Sequence, residues 1–254
     1  MSEKERIEAS LFLASYFDTL GFKNGDWEFF GGIGGKIENI IQFVIYYNFI
    51  VYQYFSLGGS NIDISKWKSS DDSLLIIATA KGCLNGGKLE DYEKRYLKIL
   101  KELKNSKRFA GVATVTSLQN LKNKKRNTYD SSMGGNGAAI RTSPIGLILD
   151  NEDNIIKQSI VSSRITHNYS LGFLGGLVTA LFTFYAKNNI KPIKWCDKLI
   201  KLYESGKIDK YMKTTDIFEN YENDKDIFFN LWYKYREERI SSFKNNLEIS
   251  IPTD

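Results

Sequence analysis

Two long stretches of the sequence, residues 39–62 and 168–186, carry no Asp, Glu, Lys or Arg, and any fold of this chain has to accommodate both. Each is close to the ~20 residues that cross a bilayer as a helix. The first contains Asn39, Gln42, Asn48 and Gln53, then Gly58-Gly59; the second contains glycines, Thr and Ser. Internal amides and glycines predict buried core segments, so the chain is expected to be soluble with no membrane partner. The start, Met1-Ser2-Glu3-Lys4-Glu5-Arg6, carries both charge signs, unlike a signal peptide, and a cytoplasmic location is expected.

At 254 residues, 42% hydrophobic and 26% charged, the chain is long enough to bury a core without staples, and a single domain over residues 1–254 is expected. Cys83 and Cys196 stand far apart and form no metal or redox spacing. They read as buried thiols in a reducing compartment. The net charge of +5 is small, and basic and acidic residues alternate along most segments. No concentrated basic face is present, and no nucleic-acid partner is expected. His167 is the single histidine, which excludes three-His and two-His metal sites.

Helical periodicity runs through residues 5–20, with Ile7, Leu11, Ala14, Ser15 and Asp18 near one face and Gly21 as the expected stop. Residues 22–36 read as loop. Residues 39–56 fit helix or strand equally well. Ser70 before Asp71-Asp72 is a helix-start signature for an apolar run that Gly86-Gly87 closes. Residues 89–104 form an amphipathic helix with an acidic start and a basic end. Residues 119–135 read as a long loop, 136–149 as a small-residue helix, and 153–166, 170–187, 194–205 and 225–243 as further helices. The expected fold class is therefore all-α, one compact multi-helix unit.

Several motifs have competing readings. Gly31 to Lys36 lacks the first Gly and the final Ser or Thr of a phosphate loop and reads as a plain loop. Lys122 to Arg126 carries four basic residues in five, either a solvated loop or an attractor of an anion such as a pyrophosphate. Ser70, Asp71 and Asp72 suit a helix N-terminus, and they also supply hard oxygen ligands for Mg²⁺, whose charge relieves carboxylate repulsion. Gly134-Gly135-Asn136-Gly137-Ala138-Ala139 is either a tight helix-start turn or a cradle for phosphate oxygens. His167, between two helices, reads alone as a structural hydrogen-bonding residue, and no Gly-x-Ser-x-Gly elbow accompanies it.

Taken in order, these pieces resemble the ADP-ribosylglycohydrolase family, most closely its ADP-ribosylarginine hydrolase branch. The resemblance rests on Phe17-Asp18-Thr19-Leu20-Gly21, Asn24-Gly25-Asp26-Trp27-Glu28-Phe29 and Trp67-Lys68-Ser69-Ser70-Asp71-Asp72-Ser73. It continues through Gly135-Asn136-Gly137-Ala138-Ala139-Ile140-Arg141, Ser163-Arg164-Ile165-Thr166-His167 and Leu171-Gly172-Phe173-Leu174-Gly175. It runs from about residue 5 to about residue 240. It implies an all-α fold holding two Mg²⁺ ions and cleaving the bond between the anomeric carbon of ADP-ribose and a modified group, arginine in this branch. Ser70, Asp71 and Asp72 then resemble one half of the metal site, with Asp71 and Asp72 also catalytic. Glu28 resembles the acid beside the substrate ribose. Gly134, Gly135, Asn136 and Gly137 resemble the diphosphate-holding loop, and His167 a ligand contact. Asp18 is expected to pack or hydrogen-bond behind the site.

One departure stands out. The family's second metal motif, Asp-x-Asp-Ser/Thr, has no match; Asp224-Lys225-Asp226-Ile227 is the nearest, and its fourth residue is apolar. The resemblance therefore implies a family domain shortened at its C-terminus with one Mg²⁺ half-site visible. Two alternatives to an active hydrolase acting on an ADP-ribosylated protein follow. One is a remnant that binds ADP-ribose without turnover. The other is half of a split enzyme, completed by a separate chain with the missing motif.

Overall fold

The computed structural model describes residues 2–28, 39–105 and 107–241, and every regular element among them is helical. Helix α1 (Glu3–Phe22) opens on a capping box: the Ser2 hydroxyl accepts from the Glu5 N–H, and the Glu5 carboxylate accepts from the Ser2 N–H at 2.7 Å. It runs through Gly21 rather than stopping there, and Lys23 closes it in the left-handed region at φ 41°. Residues 39–56, ambiguous by periodicity, form α2 (Ile40–Ser56), with the Asn39 side chain as N-cap. The Gly31 to Lys36 loop falls outside the described residues.

Helix α3 (Asp71–Leu84) starts at Ser70 as the signature predicts, and Gly86 and Gly87, at φ 126° and 68°, turn the chain into α4 (Leu89–Asn105). On α4 the four-residue spacing of Tyr92, Tyr96 and Leu100 puts them on one buried face. The expected loop over 119–135 begins later, because α5 (Val112–Lys122) occupies its first residues. The expected helix over 136–149 splits into a 3₁₀ turn (Asn136–Arg141) and α6 (Ser143–Ile148). Pro144 sits in the first turn of α6, where its missing N–H costs nothing, and its ring disfavours a helix continuing through from upstream.

Helices α7 (Glu152–Arg164), α8 (Ser170–Lys187) and α9 (Trp195–Glu204) follow closely where expected. Helix α10 (Lys207–Met212) has no sequence expectation behind it, and α11 (Phe218–Tyr235) starts seven residues before its expected bound at 225. Helix α8 is the centre: it packs on α6, α7, α11 and the 3₁₀ turn, and Phe173, Leu174, Leu177 and Leu181 are fully buried. Among the described residues it is the one helix long and apolar enough to cross a membrane, and 61% of it is buried in the protein core. Cys83 and Cys196 are free and buried, as expected.

The other charge-free stretch behaves differently from its expectation. No residue of α2 is buried; Ile41, Ile45 and Tyr52 are among its exposed side chains. Its Gln53 side-chain oxygen accepts from Trp27 Nε1 at 2.8 Å and Lys23 Nζ at 3.1 Å. Trp27 in turn packs edge-on against Tyr54 and Trp67.

Candidate functional site

The first half of the site is built where α3 begins. The Ser70 hydroxyl accepts from the Asp72 N–H at 3.1 Å, the N-cap bond that fixes the first turn. The same hydroxyl donates to Asp18 at 2.5 Å, the Ser70 N–H donates to Asp18 at 3.2 Å, and the Ser73 hydroxyl also donates to Asp18. Asp18 therefore fastens α1 to the N-terminus of α3, as the sequence reading expects. A wall is added by the segment before α5. The Arg108 guanidinium donates to the Ser69 hydroxyl at 2.9 Å.

These contacts crowd four carboxyls, Asp18, Glu28, Asp71 and Asp72, into mutual range. Burial pushes Asp72 up to about 7, with Asp71, Asp18 and Glu28 adding to the rise. Burial also raises Asp71, and Asp18 raises it further. Glu28 lies on the exposed side of the cluster; partial desolvation of its carboxyl, then Asp71 and Asp18, hold it above the usual carboxylate range. A helix N-terminus favours an anion by roughly 0.3–1 kcal/mol, and at Asp72 burial and three like charges outweigh that.

The second half is the Gly-rich turn and His167. A Cβ on Gly137 would lie 2.6 Å from His167 Cε1, and one on Gly172 would lie 2.5 Å from the Met133 carbonyl and 3.0 Å from His167 Cβ. Only glycine allows the turn and α8 to close on the imidazole from both sides. Gly134 lies against Tyr169, Gly135 faces His167 more loosely, and Asn136 is exposed. His167 is buried, with Nδ1 2.8 Å from the Thr166 hydroxyl. Burial first, and the Arg141 charge second, lower its pKa to about 3, so it is a neutral imidazole near pH 7.

Arg141 joins the halves, a role the sequence reading missed. Its side chain is fully buried; Nε donates to the Tyr96 hydroxyl at 3.0 Å, and the terminal nitrogens donate to the carbonyls of Gly137 at 2.8 Å and Ser162 at 3.1 Å. The Tyr96 hydroxyl also bonds Thr79 and Ser162, each at 2.7 Å. The Arg141 charge acts on both Asp72 and His167. The available signal was its lone charge among small and apolar residues from Gly134 to Leu149.

Other candidates lie elsewhere. Arg126 pairs with Glu93 at 2.8 Å, and the remaining basic residues of 122–126 are exposed, which fits a solvated loop. Asp224 and Asp226 are held by different tyrosines, Tyr129 and Tyr203, each at 2.6 Å. Among the described residues no group of three His, Cys, Asp or Glu is placed to hold a metal ion. Asp71 and Asp72 offer hard oxygens and a repulsion that a cation relieves, whereas the Ser70 hydroxyl is committed to Asp18 and the Asp72 N–H. These residues fit one flank of a Mg²⁺ site and do not complete one.

Comparison with known proteins bears on this two-sided arrangement. ADP-ribosylhydrolase ARH1 of Dictyostelium discoideum is 32% identical over 255 aligned residues, covering 91% of this chain and 62% of the relative. A protein of Acanthamoeba polyphaga mimivirus, provisionally named an ADP-ribosyl glycohydrolase, is 31% identical over 247 residues, covering 91% of this chain and 47% of the relative. The chain thus spans about half to three-fifths of the length of these curated relatives. The family model described as ADP-ribosylglycohydrolase matches residues 2–232, taking in Asp18, Glu28, the Ser70-Asp71-Asp72 start of α3, the Gly-rich turn and His167. With that match over nearly its whole length, the chain belongs to the ADP-ribosylglycohydrolase family.

Proposed function

We propose that the chain carries the substrate-binding half, and much of the catalytic apparatus, of an ADP-ribosyl glycohydrolase that cleaves the N-glycosidic bond between ADP-ribose and a protein side chain, arginine in our reading. The observation that carries it is the pairing of an acidic cluster at the start of α3, gathered by Asp18, with a glycine-lined turn that the buried Arg141 holds through the Gly137 carbonyl. In this reading the Gly134 to Gly137 turn receives the diphosphate through backbone N–H groups, and the neutral, fixed His167 supports the turn from behind.

Glycosidic cleavage passes through an oxocarbenium-like state. Glu28, its pKa raised, keeps a protonated fraction at higher pH than an ordinary glutamate and is the candidate to hand a proton to the leaving nitrogen. Asp71 and Asp72 are the residues that would hold Mg²⁺ beside the ribose. Mg²⁺, when bound at Asp71 and Asp72, supplies neutralisation of these carboxylates and orientation of the ribose hydroxyls and water. Two buried free thiols fit a reducing, cytoplasmic setting.

The test is release of ADP-ribose from ADP-ribosylarginine in the presence of Mg²⁺. Turnover abolished by Asp71→Asn is the expected result; no release, with Asp71→Asn indistinguishable from wild type, overturns it. A second reading, binding without turnover, draws on the lack of a three-ligand cluster among the described residues. Calorimetric binding of ADP-ribose with no hydrolysis selects it. A split enzyme completed by a separate chain is selected if turnover requires that chain.

A further inference from the structure

Charge is shared unevenly along this chain. Eleven of its 35 basic residues and one of its 30 acidic ones lie within residues 94–126, so that stretch is strongly positive and the remainder is net negative. The fold turns this imbalance into a surface, where the sequence reading expects no concentrated basic face. Lys94, Lys98 and Lys101 recur at helical spacing along α4, and all three are exposed. Lys104 and Lys122 are exposed as well. The acids nearest in sequence are already engaged, Glu93 with Arg126 at 2.8 Å and Glu102 with Arg108 at 3.4 Å. None of the five lysines has an ion-pair partner among the described residues.

Between α4 and α5 lies an open groove of about 630 Å³, within the size range of ligand sites. Lys101 and Lys104 of α4 and Lys122 of α5 supply its charge. Leu97 and Leu100 line it with apolar surface, and Gln119 and Asn123 with amides. Among the described residues no carboxylate and no aromatic ring lines it. Three ammonium groups gathered without a counter-charge repel one another, and a bound anion relieves that repulsion.

The rest of the lining identifies the anion. The phosphates of a nucleic acid would satisfy the lysines, but no ring here offers a base a stacking surface, and Leu97 would face a hydrated backbone. A peptide uses every part of the groove. Its carboxylates meet the lysines, an apolar side chain covers Leu97, and the Gln119 and Asn123 amides both donate to and accept from its backbone. From Leu97 to Lys104 helix α4 rises about 10 Å, the span of about three extended residues.

We propose that the groove between α4 and α5 docks an acidic peptide segment of a partner protein, with one apolar side chain resting on Leu97 and Leu100 and flanking carboxylates paired with Lys101, Lys104 and Lys122. Such binding requires neither the acidic cluster nor the glycine turn and is measured without turnover.

Fluorescence anisotropy of the full chain with a labelled Glu-Glu-Leu-Glu-Glu peptide at low ionic strength tests it. The wild-type chain should bind, and Lys101→Glu/Lys122→Glu should weaken binding by about tenfold or more. Lys191→Glu/Lys201→Glu, at exposed lysines outside the groove, alters net charge equally and should change the affinity by less than about twofold. A Glu-Glu-Ser-Glu-Glu peptide should bind the wild-type chain at least about fivefold more weakly, a comparison that needs no variant to fold. No binding of the leucine peptide, equal losses in the two double variants, or equal affinity for the leucine and serine peptides overturns the proposal. So does tighter binding, through the same lysines, of a DNA oligonucleotide with the same number of charges, which would make the groove a nucleic-acid site.

Discussion

Helices α2 and α8 are near twins in sequence terms, 17 and 18 residues long and both almost wholly free of charge, yet they meet opposite fates. Eleven residues of α8 are buried and none of α2 is. The difference is in shape more than in hydropathy. Helix α8 places Gly172, Gly176 and Ala180 four residues apart, and along this low stripe the Ser163 side chain, the Thr142 methyl and the backbone of Gly146 come into close contact. Helix α2 contains neither Gly nor Ala; Phe, Tyr, Ile and Val crowd every side. An apolar segment becomes core when it offers a groove that neighbours can enter, and α2 offers ridges only.

The largest effect that bears on this contrast is Leu177→Ala in α8. It should cost about 2–5 kcal/mol of unfolding free energy by urea denaturation, whereas Ile45→Ala in α2 should stay within about 0.5 kcal/mol. Equal losses would break the contrast outright. Next comes Gly146→Ala, whose added methyl runs into the Ala180 carbonyl across the α6–α8 contact. A loss of about 1–3 kcal/mol is expected in the same assay, and a neutral result would show that the approach of the two helices is not constrained by the missing side chain.

The smallest effect has a pH signature. Asp72 has a folded pKa of about 7, above the 3.8 of a free aspartate. Between those values the folded state holds a proton that the unfolded state has released, so wild-type stability falls as pH rises from about 4 to about 7 and stays low above it. Asp72→Asn should remove that dependence and gain on the order of 1 kcal/mol over wild type at pH 8 relative to pH 5, read from Tm across pH. Substitutions in α2, which holds no acidic or basic residue, should shift Tm equally at both pH values. A pH-independent Asp72→Asn effect would mean that neither burial nor the neighbouring carboxyls raise the Asp72 carboxyl.

The sequence exposed what is local. Helices α1, α3 and α7 are legible from their N-caps and α4 from its face spacing, because both signals are written within a few residues. Helix α5 is not, because Thr114 and Ser117 occupy its buried side, and the Ser117 hydroxyl donates to the Thr166 carbonyl at 3.3 Å, a partner 49 residues away. The acidic residues and the Gly-rich turn stood out by type and spacing. Arg141 did not, since its meaning depends on Tyr96, Gly137 and Ser162, which only the fold brings together. Burial of α2 was misjudged because hydropathy counts apolar atoms and says nothing of the surfaces they can fit.

The hydrogen bonds of Arg141 have a thermodynamic consequence. One planar guanidinium is bolted to α4 through Tyr96, to α7 through Ser162 and to the glycine turn through Gly137. Its five donors fix angle as well as distance, so the turn cannot pivot without breaking bonds to two helices at once. A loop of glycines would ordinarily lose considerable disorder on closing around a ligand. Here that disorder is removed when the protein folds, so under the proposed reading a diphosphate reaching the turn would find little of that entropy left to lose.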